Sequence, residues 1–149
     1  MWRRTVNTFG LAAGLAIVSL GIASQATPAQ ARDGAYRGTI VCEKLKNSPF
    51  ILRAPLDITV SGKAVIAVRP IFNVRGTQVV ASEIATGNIA DDGSIKFMSN
   101  WHGGAASFEG SYSGVIGDKT GTLAGTQSWT TAGGKELRNC TAAFVQIGS

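Results

Sequence analysis

The chain has 149 residues, with 14 basic and 9 acidic side chains and a formal net charge of +5. Charged residues make up 15% of it and hydrophobic residues 44%, which excludes an intrinsically disordered chain. One histidine and two cysteines are too few ligands for most metal centres, so we expect neither a metal nor a cofactor. The length suits a single domain.

Residues 1–31 have the pattern of a signal peptide. Arg3-Arg4 gives a positive start, residues 10–23 form an uncharged and mostly apolar run, and Ala29-Gln30-Ala31 matches the small-x-small cleavage pattern. The apolar run is shorter than the about 20 residues that a transmembrane helix needs. We therefore expect a periplasmic or secreted protein, exported by the Sec or the twin-arginine route, with no membrane span after cleavage.

Residues 32–149 are expected to form one all-β domain. Short alternating runs are separated by turn residues, and no apolar repeat is sustained at helical spacing. Eight strands are predicted, at about residues 35–43, 56–61, 63–70, 77–89, 94–101, 107–117, 120–130 and 136–146. The alternation assigns one inward and one outward face to each strand.

Cys42 and Cys140 fall at inward-facing positions of the first and last predicted strands. In an exported protein we expect them to form a structural disulfide, since the C-x-x-C spacing of a redox-active pair is absent. The bond requires the two strands to lie within about 7 Å at Cα. This predicts a sheet that closes on itself, a small antiparallel up-and-down β-barrel. A β-sandwich with these strands facing across the core is the alternative.

The predicted connections are of two kinds. Ser61-Gly62, Asp91-Asp92-Gly93 and Gly117-Asp118-Lys119 are tight hairpin signals. Residues 43–55, 71–76, 102–106 and 131–135 are predicted to be longer loops. Alternate connections of a meander lie at the same end, so one end is expected to be closed by tight turns. The other end would be rimmed by long loops, in the shape of a cup.

Several polar and aromatic side chains are expected near the long-loop end. The candidate ligand-binding residues are Arg69, Glu83, Trp101, Gln127, Trp129 and Arg138. Two indole rings, an arginine and an amide would suit a small planar or anionic ligand. The structural alternative is that the tryptophans cap the core and that Arg138 pairs with Glu83 or Glu136.

A non-enzymatic binding protein for a small ligand is the leading hypothesis. The second is a module that binds another exported protein, such as a hydrolase, through Lys44, Lys46, Pro49 and Phe50 of the first long loop. An enzyme is the third, because no spacing pairs Glu83, Glu109 or His102 for acid–base catalysis, and we expect no catalytic residue. Scattered charges and few aromatic residues in basic stretches disfavour nucleic acid as a partner.

Two short motifs resemble calycins. Gly34-Ala35-Tyr36 resembles the G-x-W opening of lipocalins, with tyrosine in place of tryptophan, and the Gly/Thr-rich segment from Gly121 to Trp129 is similar to an avidin strand. This resemblance implies a meandering eight-stranded barrel that binds a small ligand, and it carries over no ligand-binding residue. The chain also resembles small exported proteobacterial β-barrel proteins of unknown function.

Overall fold

The structure is a computed structural model that describes residues 33–46, 48, 50–73, 77–104 and 106–148. The predicted signal peptide, residues 1–31, and Pro49 lie outside the described residues. The described residues form no helix and eight strands: β1 Gly34–Cys42, β2 Leu52–Ser61, β3 Ala64–Phe72, β4 Val79–Ile89, β5 Ser94–Gly103, β6 Ala106–Ile116, β7 Thr120–Thr131 and β8 Gly134–Gly148.

The strands form one closed barrel. Each strand pairs antiparallel with the next one in the chain, and β1 also pairs with β8. The prediction of an eight-stranded up-and-down barrel is therefore confirmed, and the sandwich alternative is wrong. Cys42 and Cys140 face each other in the β1–β8 ladder, with Cα atoms 4.0 Å apart, and their disulfide links the first and last strands.

The two ends of the barrel differ less than the sequence predicts. Tight turns join β2 to β3, β4 to β5 and β6 to β7 at one end, as predicted. At the other end, which we call the mouth, the β5–β6 and β7–β8 connections are two-residue turns, so the prediction of long loops is wrong there. Gly104 (φ 59°) and Gly134 (φ 107°) adopt conformations that favour glycine and permit these turns. The long connections at the mouth are residues 43–51 and 73–78.

Apolar side chains fill the interior toward the tight-turn end. This apolar core includes Tyr36, Ile58, Val65, Ile95, Phe97, Ile116 and Phe144. An inward-facing glycine allows the neighbouring strand to come close: a Cβ atom on Gly38 would lie 2.0 Å from the carbonyl oxygen of Ala143 on β8. This apolar half supplies the hydrophobic core of the domain.

Near the mouth, the β3–β4 hairpin does not pair with the strands on either side of it, β2 and β5. β3 pairs with β2 only as far as Val68, and β4 pairs with β5 only from Ile84 onward. Residues 69–72 and 79–83, which we call the β3–β4 tip, pair with each other but with neither flanking strand. Pro55 lies on the stretch of β2 beside this gap, where β2 has no partner in β3, so its missing backbone N–H breaks no β2–β3 hydrogen bond. The proline is therefore compatible with a strand, and β2 begins at Leu52, earlier than predicted.

Candidate functional site

The six predicted ligand-binding residues come together in the mouth half of the barrel interior. Seven side chains from six strands are joined by hydrogen bonds and one ion pair into a group that we call the polar network: Arg69, Glu83, Ser99, Tyr112, Gln127, Trp129 and Arg138. Trp101 packs against this group from β5. Alternation assigned Trp101, Gln127, Trp129 and Arg138 to inward positions. The structure shows that Arg69 and Glu83, whose orientation the sequence left open, are buried beside them.

A buried ion pair forms one side of the polar network. Arg69 Nε and Glu83 Oε2 are in direct contact across the β3–β4 ladder, and each residue is only 3% exposed. Glu83 Oε1 also accepts hydrogen bonds from Ser99 Oγ at 2.5 Å and Tyr112 Oη at 3.1 Å. These three partners offset part of the cost of removing the carboxylate from water. Arg69 Nη2 has no hydrogen-bond partner among the described residues.

Gln127 connects this ion pair to the other side of the barrel and is fully buried. Its Nε2 donates to Tyr112 Oη at 2.6 Å. Its Oε1 accepts from Trp129 Nε1 at 3.1 Å and from Arg138 Nε at 2.7 Å. Because both of these neighbours can only donate, they fix the orientation of the amide. One uncharged side chain thus links a guanidinium, an indole and a phenol, and each hydrogen bond joins a donor to an acceptor.

Three aromatic rings cover the polar network at the mouth. The ring centroids of Phe108 and Trp129 are 4.7 Å apart, and that of Trp101 lies about 6 Å from both. The guanidinium of Arg138 lies 5.2 Å from the Trp129 ring centre, and that of Arg69 lies 5.5 Å from the Phe108 ring centre. Both tryptophans are half-buried and Phe108 is buried. Planar cations and aromatic rings therefore alternate at the mouth.

Burial shifts two ionisations in the polar network. Burial, assisted by the negative charge of Glu83, raises the pKa of Tyr112 to about 12, so this phenol is neutral at pH 7. Burial, assisted by repulsion from Arg69, lowers the pKa of Arg138 to about 10, so this guanidinium remains charged at pH 7. The polar network then contains two cationic side chains and one carboxylate.

The interior beneath the polar network contains little free space. A cavity of about 20 Å³ lies between the Arg69–Glu83 pair, Tyr112 and the apolar side chains around Leu56 and Ala85. This volume holds about one water molecule. The interior of this closed barrel is therefore filled, which the sequence left open, and the two tryptophans lie over the polar network at the mouth.

Sequence reasoning missed three side chains that belong to the site. Ser99, Tyr112 and Phe108 were assignable to inward faces by alternation but were treated as core. The signal that identifies them is register: Ser99 faces Gly110, Tyr112 faces Gly125, and Phe108 faces Trp129. Both glycines lack a side chain where Tyr112 packs, and a Cβ on Gly110 would lie 2.4 Å from Ser99 Oγ.

Two residues considered for acid–base catalysis lie outside the polar network. His102 and Glu109 are exposed, and both occupy outward-facing positions of their strands. His102 therefore does not meet Glu83, which is buried inside the barrel. The part of the chain that the structure describes also contains no cluster of three or more side chains suited to hold a metal ion.

The first long loop presents a basic and apolar surface. Lys44, Lys46 and Arg53 are exposed, and so are Phe50 (71%) and Ile51. The backbone N–H of Lys46 donates to Glu136 Oε2 at 2.7 Å and holds the loop to β8. A groove of about 480 Å³ runs beside the loop over the ends of β1 and β8 that carry the disulfide.

The architecture and site define the protein as a closed, disulfide-linked β-barrel with an ionic network buried in one half. Comparisons with family models, curated proteins and solved structures give no match. The resemblances to calycins and to exported proteobacterial proteins therefore remain predictions. Among the described residues, no helix has the length and apolar character to cross a membrane. The disulfide fits an oxidising compartment.

Proposed function

We propose that the protein is a periplasmic or secreted, non-enzymatic binding protein that takes a small ligand at the mouth of its barrel. The observation that carries the proposal is that the polar network, built from six strands, lies together with two half-buried tryptophans at one end of the barrel. The ligand would contact Trp101, Trp129 and Arg138, with Gln127 and the Arg69–Glu83 pair beneath. The ligand would therefore stay at the mouth, because the interior beneath the polar network has room for about one water molecule.

The energetics of the polar network support a role beyond stability. An ion pair that is 3% exposed on both sides is expensive to desolvate, and apolar side chains of similar size are often equally or more stabilising. The other half of the same barrel consists of such apolar side chains. A stable fold therefore does not require charges at the mouth, whereas recognition of a polar ligand does.

The incomplete ladder supplies a route to the site. The β3–β4 tip carries Arg69 and Glu83 at its base and lacks ladder partners in β2 and β5. Displacing this tip breaks no β2–β3 or β4–β5 ladder pair, because those pairs stop at Val68 and Ile84. A ligand that separates the mouth aromatics can therefore enter without opening the barrel wall.

Native mass spectrometry of the mature protein, purified with its disulfide intact, tests this proposal. We expect a bound mass of a few hundred daltons that Trp101→Leu removes. Trp101 is the variant of choice because the structure gives its indole ring packing contacts and no hydrogen bond. Met98→Ala is the matched control, on an exposed position of the same strand. Retention of the mass in Trp101→Leu, or its loss in Met98→Ala, would contradict a ligand at the mouth.

A protein-binding module is the second candidate function. The filled interior and the exposed Phe50 and Ile51, flanked by Lys44 and Lys46, favour it. It predicts that a protein co-purifies with the chain and that Phe50→Ser and high salt both release it, whereas Trp101→Leu does not. The opposite sensitivity of the two variants separates this function from small-ligand binding.

A further inference from the structure

The charges buried at the mouth do not balance. Arg69 and Glu83 neutralise each other in direct contact, and the Tyr112 hydroxyl is neutral at pH 7. Arg138 is only 7% exposed, and its one hydrogen bond to a described residue goes to the uncharged Gln127. The polar network thus has an excess of one positive charge.

No described carboxylate forms a salt bridge with Arg138. Glu136 lies two residues away on the same strand, and its carboxylate accepts the backbone N–H of Lys46. The Arg138 Nε donates to Gln127, whereas its terminal Nη groups have no hydrogen-bond partner among the described residues and keep slight exposure to solvent. These groups are therefore available to donate to a ligand at the mouth.

Resting on the proposed function, we propose that the ligand is a planar compound with a carboxylate, and that the carboxylate pairs with the Nη groups of Arg138. The guanidinium is already held against the Trp129 ring at 5.2 Å and oriented by Gln127, so little side-chain freedom is lost on binding. The planar part would lie against Trp129 and Trp101. A carboxylate carries one negative charge and balances the site, whereas a phosphate dianion would leave a negative excess.

Tryptophan emission gives a direct readout, because two of the three tryptophans of the chain, Trp101 and Trp129, lie at the mouth. The probes are benzoate, its uncharged isostere benzamide, and phenyl phosphate. We expect benzoate to bind at least about tenfold more tightly than benzamide, the difference that a hydrogen bond to a charged group makes. Benzoate should also bind more tightly than phenyl phosphate.

The test variant is Arg138→Met, which removes the charge but keeps a long apolar side chain. It is expected to fold, because Gln127 Oε1 keeps the hydrogen bond from Trp129 Nε1 and the unbalanced charge is gone. We expect its affinity for benzoate to fall to that for benzamide. Arg138→Lys should keep the preference for benzoate in weaker form, and Arg53→Met, at an exposed position, should leave it unchanged.

The outcomes separate this inference from the proposed function. Equal affinities for benzoate and benzamide would be compatible with a small-ligand site at the mouth but would refute recognition of a carboxylate there. Unchanged benzoate affinity in Arg138→Met would refute the pairing of the carboxylate with Arg138. Tighter binding of phenyl phosphate than of benzoate would refute the inference that the ligand carries a single negative charge. Absence of any change in emission at millimolar concentrations of all three probes would overturn both the inference and a planar ligand at the mouth.

Discussion

The buried ion pair predicts an asymmetry between its two partners. Replacing Glu83 by glutamine removes one negative charge, keeps the shape, and retains acceptors for Ser99 and Tyr112. It leaves Arg69 and Arg138 as two buried cations without a carboxylate between them. Replacing Arg69 by methionine instead leaves one cation and one anion, so the remaining charges balance.

The magnitudes follow from these charges. Removing one partner of a buried ion pair costs about 3–5 kcal/mol, because an uncompensated charge stays in the interior. We expect Glu83→Gln to reach the upper part of this range, since Arg69 and Arg138 then repel each other. We expect Arg69→Met to cost at most about 3 kcal/mol, since Glu83 keeps two hydroxyl donors and the Coulomb attraction of Arg138.

Urea unfolding at pH 7 with the disulfide intact measures both free energies. The exposed Arg37–Asp57 pair, joined at 2.6 Å, is the matched control, and Asp57→Asn there should cost less than about 1 kcal/mol. If Arg69→Met destabilised the protein as much as Glu83→Gln, the excess of positive charge in the polar network would be refuted. Equal costs for Glu83→Gln and Asp57→Asn would refute the burial of the pair.

Two further perturbations probe the polar network and the barrel wall. Between pH 10 and 12 the unfolded state binds fewer protons at Tyr112 than the folded state, so this residue lowers the free energy of unfolding as pH rises. In urea unfolding between pH 8 and 11.5, Tyr112→Phe should therefore reduce the decline of that free energy. Arg138→Met should make the decline steeper, because the lowered pKa of Arg138 has the opposite effect on stability. Gly38→Ala should destabilise the protein by about 1–3 kcal/mol, because its Cβ would meet the Ala143 carbonyl, whereas Gly148→Ala, with open space around it, should change little in the same assay.

Much of the fold follows from a pattern with a period of two. Each inward position of β1 and of β5 to β8 was assignable because one residue of register error would move every apolar side chain outward. The disulfide favoured closure, since Cys42 and Cys140 can bond only if the first and last strands lie within about 7 Å, but it left the sandwich open until the β1–β8 ladder was seen. Loop lengths were less predictable, because Gly104 and Gly134 can belong either to a long loop or to a two-residue turn.

The location of the candidate site could be predicted from the sequence, but the hydrogen bonds and ion pair within it could not. Alternation and strand order placed Arg69, Gln127 and Arg138 in the mouth half, but sequence reasoning could not tell which of the cations Glu83 would pair with. That choice depends on the β3–β4 register, which sets Arg69 directly opposite Glu83. The filling of the interior was equally out of reach, because it depends on how Tyr112 and the three mouth rings pack in space.

The position of the ion pair links stability to access. Arg69 directly follows Val68 and Glu83 directly precedes Ile84, the residues at which pairing with the flanking strands stops. The hydrogen bonds that Glu83 accepts from Ser99 and Tyr112 therefore join the β3–β4 tip to the rest of the polar network. Below this level, the apolar half of the barrel keeps its ladder and its core regardless of the tip. Above it, side-chain contacts hold the tip to the rest of the barrel. A ligand that displaces the tip would therefore act on Glu83 and its hydroxyl donors, and entry and recognition would depend on one network.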